Sequence, residues 1–149
     1  HVLRIIRELI EFKPKSKKTN IAAALKFLSS VMKKRAIVFM LSDFMDDDYE
    51  KTLKIAAKKH DLTGIRVYDK YDEEIPNLGM VPMIDSETGD VQLINTASKS
   101  VRASYKLNAL RLADYYINMF KRGGAGSVNT RVDENYVKKL LGYFKHKGR

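Results

Sequence analysis

The sequence predicts an α/β fold built on an open, mostly parallel sheet. Three observations carry that prediction. Residues 36–41, Ala-Ile-Val-Phe-Met-Leu, form an apolar run without alternation that breaks into Ser42 and Asp43. A parallel strand buried on both faces has this pattern, and it delivers its last polar residues to the carboxyl edge of the sheet, where ligands bind in open α/β folds. A second strand-like run follows at residues 64–68, and segments of helical periodicity alternate with both.

Each element has its own signal. Ile5, Ile6, Leu9 and Ile10 mark one face of a first helix, which must end before Pro14 because proline cannot continue it. A basic loop, residues 13–18, leads to Thr19, the expected N-cap of a second helix with the stripe Ile21, Leu25, Leu28 and Met32. After the strand at 36–42, Asp46, Asp47 and Asp48 are placed to cap a third helix. Tyr49, Leu53, Ala56 and Ala57 face inward on it, and Lys58, Lys59 and His60 suit its C-terminus.

Beyond Pro76 the plain alternation lapses. Residues 80–84 and 91–94 flank Asp85-Ser-Glu-Thr-Gly-Asp90, a hairpin with a turn at Gly89 and an expected excursion at the sheet edge. A long helix, 99–122, carries Tyr105, Leu112, Ala113, Tyr116 and Phe120 on one side and ends at Gly123-Gly124. A strand at 127–132 and a helix at 135–146, with Val137, Leu140, Leu141 and Phe144 inward, complete the pattern.

Composition bounds the setting. With 149 residues and 44% hydrophobic content, the chain suits one domain, residues 1–149, with a real core. The absence of cysteine excludes disulfide scaffolds, zinc-thiolate sites and thiol nucleophiles. It fits a reducing compartment, and a cytoplasmic location is the expectation. No apolar run approaches the roughly 20 residues of a membrane helix, so no membrane contact is expected of this segment. His1 falls inside a helical pattern with no entry cap, which marks the sequence as an expected fragment.

The net charge of +10 could mean a nucleic-acid surface. The excess is spread evenly, however. Residues 1–75 carry 16 bases and 12 acids (+4), and residues 76–149 carry 12 and 6 (+6). The densest patches sit in loops and at helix ends, where cations favour helix C-termini. A solvated face or an acidic protein partner is therefore preferred to nucleic acid.

Three ordered blocks then resemble a known family. Lys-Lys-Thr-Asn-Ile-Ala-Ala-Ala-Leu (17–25), Val-Phe-Met-Leu-Ser-Asp-Phe (38–44) and His-Asp-Leu-Thr-Gly-Ile-Arg-Val-Tyr-Asp (60–69) are similar to the von Willebrand factor A-like domain of the bacterial family called domain of unknown function number 58. The closing Val-Asp-Glu-Asn-Tyr-Val-Lys-Lys-Leu-Leu (132–141) fits as well. The resemblance implies a Rossmann-like sheet with a metal-ion-dependent adhesion site at its upper edge, holding Mg²⁺ or Mn²⁺. In that family an Asp-x-Ser-x-Ser loop, a later threonine and an aspartate after the fourth strand hold the metal. Thr19 matches the threonine and Asp43 the aspartate. Ser16 is the one Asp or Ser before Thr19, so the triplet has no match and the N-terminal strands are expected to be missing. Two ligands leave Mg²⁺ largely hydrated, so weak binding by this chain alone is expected. Without its central strand the sheet would also have an open apolar edge that invites self-association.

Plainer readings stand beside these. Thr19 can be a helix cap, Asp43 a turn former, and residues 46–48 a cap. His1, His60 and His146 lack ligand spacing and read as surface residues, and Ser16, Ser29 and Ser30 have no base nearby. Two function classes follow. One is a protein-interaction module, not an enzyme, whose metal is completed by an acidic side chain of a partner. The resemblance implies that this partner is a MoxR-type AAA+ ATPase, in assembly or maturation of other complexes, including those linked to aerotolerance operons. Lys17, Lys18, Asn20 and Phe44 flank the two ligands and are the expected partner contacts. The other class is a Mg²⁺-dependent phosphoryl-transfer enzyme or nuclease using Asp43 with Asp46 or Asp47, or else a basic nucleic-acid-binding domain.

Overall fold

The computed structural model describes residues 1–14, 19–46, 48–85 and 88–147. In chain order the elements are α1 (Val2–Glu11), α2 (Ile21–Val31), β1 (Ile37–Ser42), α3 (Glu50–Lys59), β2 (Asp61–Tyr68), α4 (Lys70–Glu73), β3 (Met80–Ile84), β4 (Val91–Asn95), α5 (Lys99–Gly123), β5 (Gly126–Arg131) and α6 (Tyr136–Lys147). β1, β2 and β5 form a parallel sheet in that order, with Ile37 opposite Asp61 and Thr63 opposite Gly126. A parallel sheet flanked by helices is compatible with a Rossmann-like arrangement. The hairpin excursion is present, with β3 and β4 paired as a separate two-stranded antiparallel sheet.

The core lies between one face of the parallel sheet and helices α2, α3 and α5. Ile21, Leu25, Leu53, Ala56, Leu62, Tyr116, Met119 and Phe120 are buried there together with Phe44 and Tyr49. The α2 and α3 stripes are thus those the periodicity marks, except that Met32 is the C-cap of α2 and exposed. α5 ends at Gly124, whose φ of 75° closes the helix in the left-handed region that glycine enters without penalty. The hairpin turn likewise uses Gly89 at φ 81°.

Sequence expectations for β1, α1 and α6 are corrected here. β1 is not buried on both faces. Val38 and Met40 pack against the core, whereas Ile37 and Leu41 are 70% and 68% exposed. The reason is positional: α6 packs on β5 and reaches β1 through Phe144 on Phe39, ring centroids 5.7 Å apart. β1 is also an edge strand among the described residues. The apolar face of α1 exists as a pattern, but none of its residues is buried. α6 shows the same tendency, with Leu140 half-buried and Val137 and Leu141 exposed.

His60, read as a surface residue, is 1% exposed. It is the C-cap of α3, and its Nδ1 accepts a hydrogen bond from the Ala36 N–H at 3.3 Å. The imidazole thereby ties the end of α3 to the entry of β1. On the opposite sheet face, the Lys147 ammonium donates to Asp61 at 2.6 Å and to Thr63 Oγ1 at 2.8 Å, which fastens the end of α6 to the start of β2.

Candidate functional site

The carboxyl ends of β1 and β2 meet the amino end of α2, and local hydrogen bonds fix how the chain leaves β1. Ser42 Oγ accepts the Phe44 N–H at 3.0 Å, and the Asp43 carboxylate accepts the Met45 N–H at 3.2 Å, an Asx-type turn. Phe44 adopts φ 58°, a left-handed backbone that costs a non-glycine residue about 1–2 kcal/mol. Aromatic packing offsets it: the Phe44 ring stacks on Tyr116 at 4.5 Å and meets Phe120 edge-on at 5.1 Å. The consequence is a sharp reversal that turns Phe44 inward and leaves Asp43 exposed. Phe44, expected among the partner contacts, is 4% exposed and belongs to the core.

The triad after β1 also differs from expectation. The Asp46 carboxylate accepts the Ile21 N–H at 2.6 Å, so it closes the first turn of α2, while the N-cap position of α3 is taken by Tyr49, whose side chain makes no cap bond. The N-cap of α2 is Asn20, which accepts from the Ala23 N–H at 2.7 Å; Thr19 precedes the cap and is exposed. Asn20 is exposed beside it and committed to the cap. Through the Asp46–Ile21 bond, the segments carrying Thr19 and Asp43 share one edge of the molecule. Lys17, Lys18 and Asp47 lie outside the described residues.

A hydroxyl and a carboxylate are the oxygen donors that a hard dication such as Mg²⁺ takes, so Thr19 and Asp43 suit it chemically. They would supply two of the roughly six oxygens it needs, and among the described residues no group of three His, Cys, Asp or Glu could hold a metal. The donor set therefore fits part of a metal site.

Beside Asp43 a cleft of about 430 Å³ opens between the strand ends, α4, the tip of the hairpin and α5. Asp43, Arg66, Tyr68, Asp72, Asp85 and Tyr105 give it its polar lining. Arg66, on the central strand β2, is 4% exposed; its Nε donates to the Asp43 carbonyl at 3.4 Å and its guanidinium lies 4.5 Å over the Tyr68 ring. Burial raises the Tyr68 phenol above its ordinary range, aided by the Glu73 charge, and burial with the Asp72 charge does the same for Tyr105. Both hydroxyls are therefore neutral at physiological pH. Arg66 lies outside the candidate residues named from the sequence, although a guanidinium interrupting Gly-Ile-Arg-Val-Tyr in a central strand is an unusual charge in a buried position.

Residues 1–113 match the model of a family described as protein of unknown function DUF58. The chain belongs to the DUF58 family. Among curated relatives, this DUF58 chain is 25% identical over 138 residues to an uncharacterized protein of Mycobacterium avium, covering 87% of the chain and 77% of the relative. It is 29% identical over 80 residues to an uncharacterized protein of Mycobacterium tuberculosis, covering 53% of the chain but 25% of that longer relative. Two solved structures resemble the fold. One is the conserved hypothetical protein BatB from Bacteroides thetaiotaomicron, with a TM-score of 0.50 over 97% of this chain and 68% of that one. The other is an aerotolerance-related membrane protein from Bacteroides fragilis, with a TM-score of 0.51 over 96% and 67%. At 13% identity both likenesses speak to fold alone. No helix among the described residues is long and apolar enough to cross a membrane.

Proposed function

We propose that this DUF58 chain is a protein-recognition module of von Willebrand factor A type, in which Thr19 and Asp43 hold Mg²⁺ or Mn²⁺ at the carboxyl edge of the sheet. The observation that carries the reading is the 2.6 Å bond from the Ile21 N–H to Asp46, which holds the amino end of α2 against the loop after β1 and so keeps both ligand segments on one edge. A bound metal would supply a positive centre for an acidic side chain of a partner protein. The chain's own residues orient that centre: the Asx turn fixes Asp43, and the buried Phe44 anchors the loop. The family resemblance suggests a MoxR-type AAA+ ATPase as the partner, with a role in maturation of other complexes.

A phosphoryl-transfer site built on Asp43 and Asp46 is less well supported, because the Asp46 carboxylate is already engaged at the amino end of α2. The test is binding to a MoxR-type ATPase, followed by light scattering or interferometry, with Mg²⁺ and with a chelator. Mg²⁺-dependent binding that Thr19→Ala and Asp43→Ala each weaken at least tenfold is the expected result. Chelator-insensitive binding, or phosphodiester turnover lost on Asp46→Asn, would refute the proposal.

A further inference from the structure

Arg66 is the charge that the recognition reading leaves unused. It is 96% buried on the central strand, and among the described residues it has no carboxylate within ion-pair distance. Among the described residues its side chain makes one hydrogen bond, the 3.4 Å contact from Nε to the Asp43 carbonyl. A guanidinium has five N–H donors, and burying it is unfavourable unless the charge is paired. The Tyr68 face at 4.5 Å compensates part of that cost. Arg66 is also one of the residues lining the cleft of about 430 Å³.

The cleft's own carboxylates are engaged with loop backbone. Asp72 accepts the Asp69 N–H at 2.6 Å, Asp85 accepts the Thr88 N–H at 2.9 Å, and Asp43 accepts the Met45 N–H. All three are exposed, so the high dielectric of solvent weakens their repulsion of an incoming anion without removing it. Their presence still selects among anions. A phosphate dianion meets about twice the repulsion of a carboxylate, whereas the planar guanidinium fork matches a carboxylate's two oxygens.

We propose that this cleft is a carboxylate-binding subsite, in which Arg66 receives an Asp or Glu side chain offered by a protein partner. The identity of the partner as a protein rests on the reading above; the subsite itself does not depend on the metal. Arg66 lies against the backbone of Asp43, so an acidic segment seated here lies beside the proposed metal position, and Arg66 sets the partner's approach.

The experiment follows the Arg66 Nε–Hε resonance of the wild-type chain by NMR. The probes are a blocked glutamate (N-acetyl-glutamate N-methylamide), its glutamine analogue and inorganic phosphate, first with chelator and then with Mg²⁺. A saturable shift with blocked glutamate in chelator, at least tenfold weaker for the glutamine analogue and for phosphate, supports the subsite. Arg66→Lys, which keeps the charge but loses the fork and with it the Nε–Hε signal, is followed through the Asp43 and Tyr68 amides and should bind blocked glutamate several-fold more weakly; because the wild-type resonance is the primary readout, a poorly folded variant does not void the test. No saturable shift, an equal response to glutamine, or tighter binding of phosphate would overturn the proposal. The two readings separate cleanly. A response to glutamate that Mg²⁺ does not alter sustains the Arg66 subsite whatever becomes of the metal, while amide shifts that appear with Mg²⁺ alone and survive Arg66→Lys sustain the metal reading and overturn the Arg66 subsite.

Discussion

Replacing Gly64 with alanine probes the contact that sets α5 against the sheet. A Cβ at Gly64 would lie 2.4 and 2.6 Å from Cε1 and Cζ of Phe120 and 3.0 Å from the Tyr116 hydroxyl. Carbon atoms prefer roughly 3.5–4.0 Å, so the overlap is about 1 Å. Neither ring can retreat easily. Phe120 is fully buried between Phe44 and Tyr116, and Tyr116 is pinned by the bond from its hydroxyl to the Gly64 carbonyl at 2.8 Å. Overpacking of this kind costs about 1–3 kcal/mol, and a fully enclosed site belongs near the upper end. With a urea slope of about 2 kcal/mol per molar, a loss of about 3 kcal/mol lowers the midpoint by about 1.5 M. For a chain of this size it lowers Tm by about 6–12 °C. Phe120→Leu in the same chain should recover about 1 kcal/mol or more as a coupling term. A Gly64→Ala variant within about 0.5 kcal/mol of wild type, or strict additivity in the double variant, would refute the close approach of β2 and α5.

Two further outcomes follow from buried groups and from the open edge. Tyr116→Phe should cost about 1 kcal/mol near neutral pH, since it removes the hydroxyl's bond to Gly64. Burial raises the Tyr116 pKa well above its ordinary 10.0, so the folded chain keeps a proton that the unfolded chain releases. Ionisation therefore favours the unfolded state: the stability from this group is whole below about pH 10 and is lost above it, and denaturation curves of wild type and Tyr116→Phe should converge as the pH rises past that value. Curves that stay parallel through this window would contradict the assignment. At the edge, sedimentation equilibrium should show concentration-dependent association that Leu41→Lys, at a 68% exposed position of β1, abolishes; a monomer in both would count against edge pairing.

The outline of the fold was legible because periodicity is a local property. The α2 and α3 stripes, the hairpin and the long α5 follow from residue spacing, and Gly124 and Gly89 do what isolated glycines at element ends do. What escaped was set by distant partners. Asp46 reads as a cap for the helix that follows it, but the fold brings the Ile21 N–H, 25 residues upstream, within 2.6 Å. His60 ends a run of three basic residues, and nothing in Lys-Lys-His says that the imidazole alone turns inward to meet Ala36. Phe44 adjoins an exposed aspartate, yet a left-handed backbone sends it the other way. The run 36–41 promised two covered faces, while on its outer side Phe39 meets Phe144 and Ile37 and Leu41 see solvent. Thr19 and Asp43 were readable as a pair only through the family resemblance; the spacing between them holds no signal of its own. Arg66 had a visible signal, a charge within an apolar strand, whose meaning depends on the cleft that α4, the hairpin and α5 build around it.

Paramagnetic Mn²⁺ titration followed by amide relaxation tests the recognition edge most directly, because it locates even a weakly held ion. Broadening should be strongest at residues 19–21 and 42–46, and should fall away in Asp43→Ala. Broadening centred on Asp72 and Asp85, or a profile that Asp43→Ala leaves unchanged, would contradict a metal held by Thr19 and Asp43.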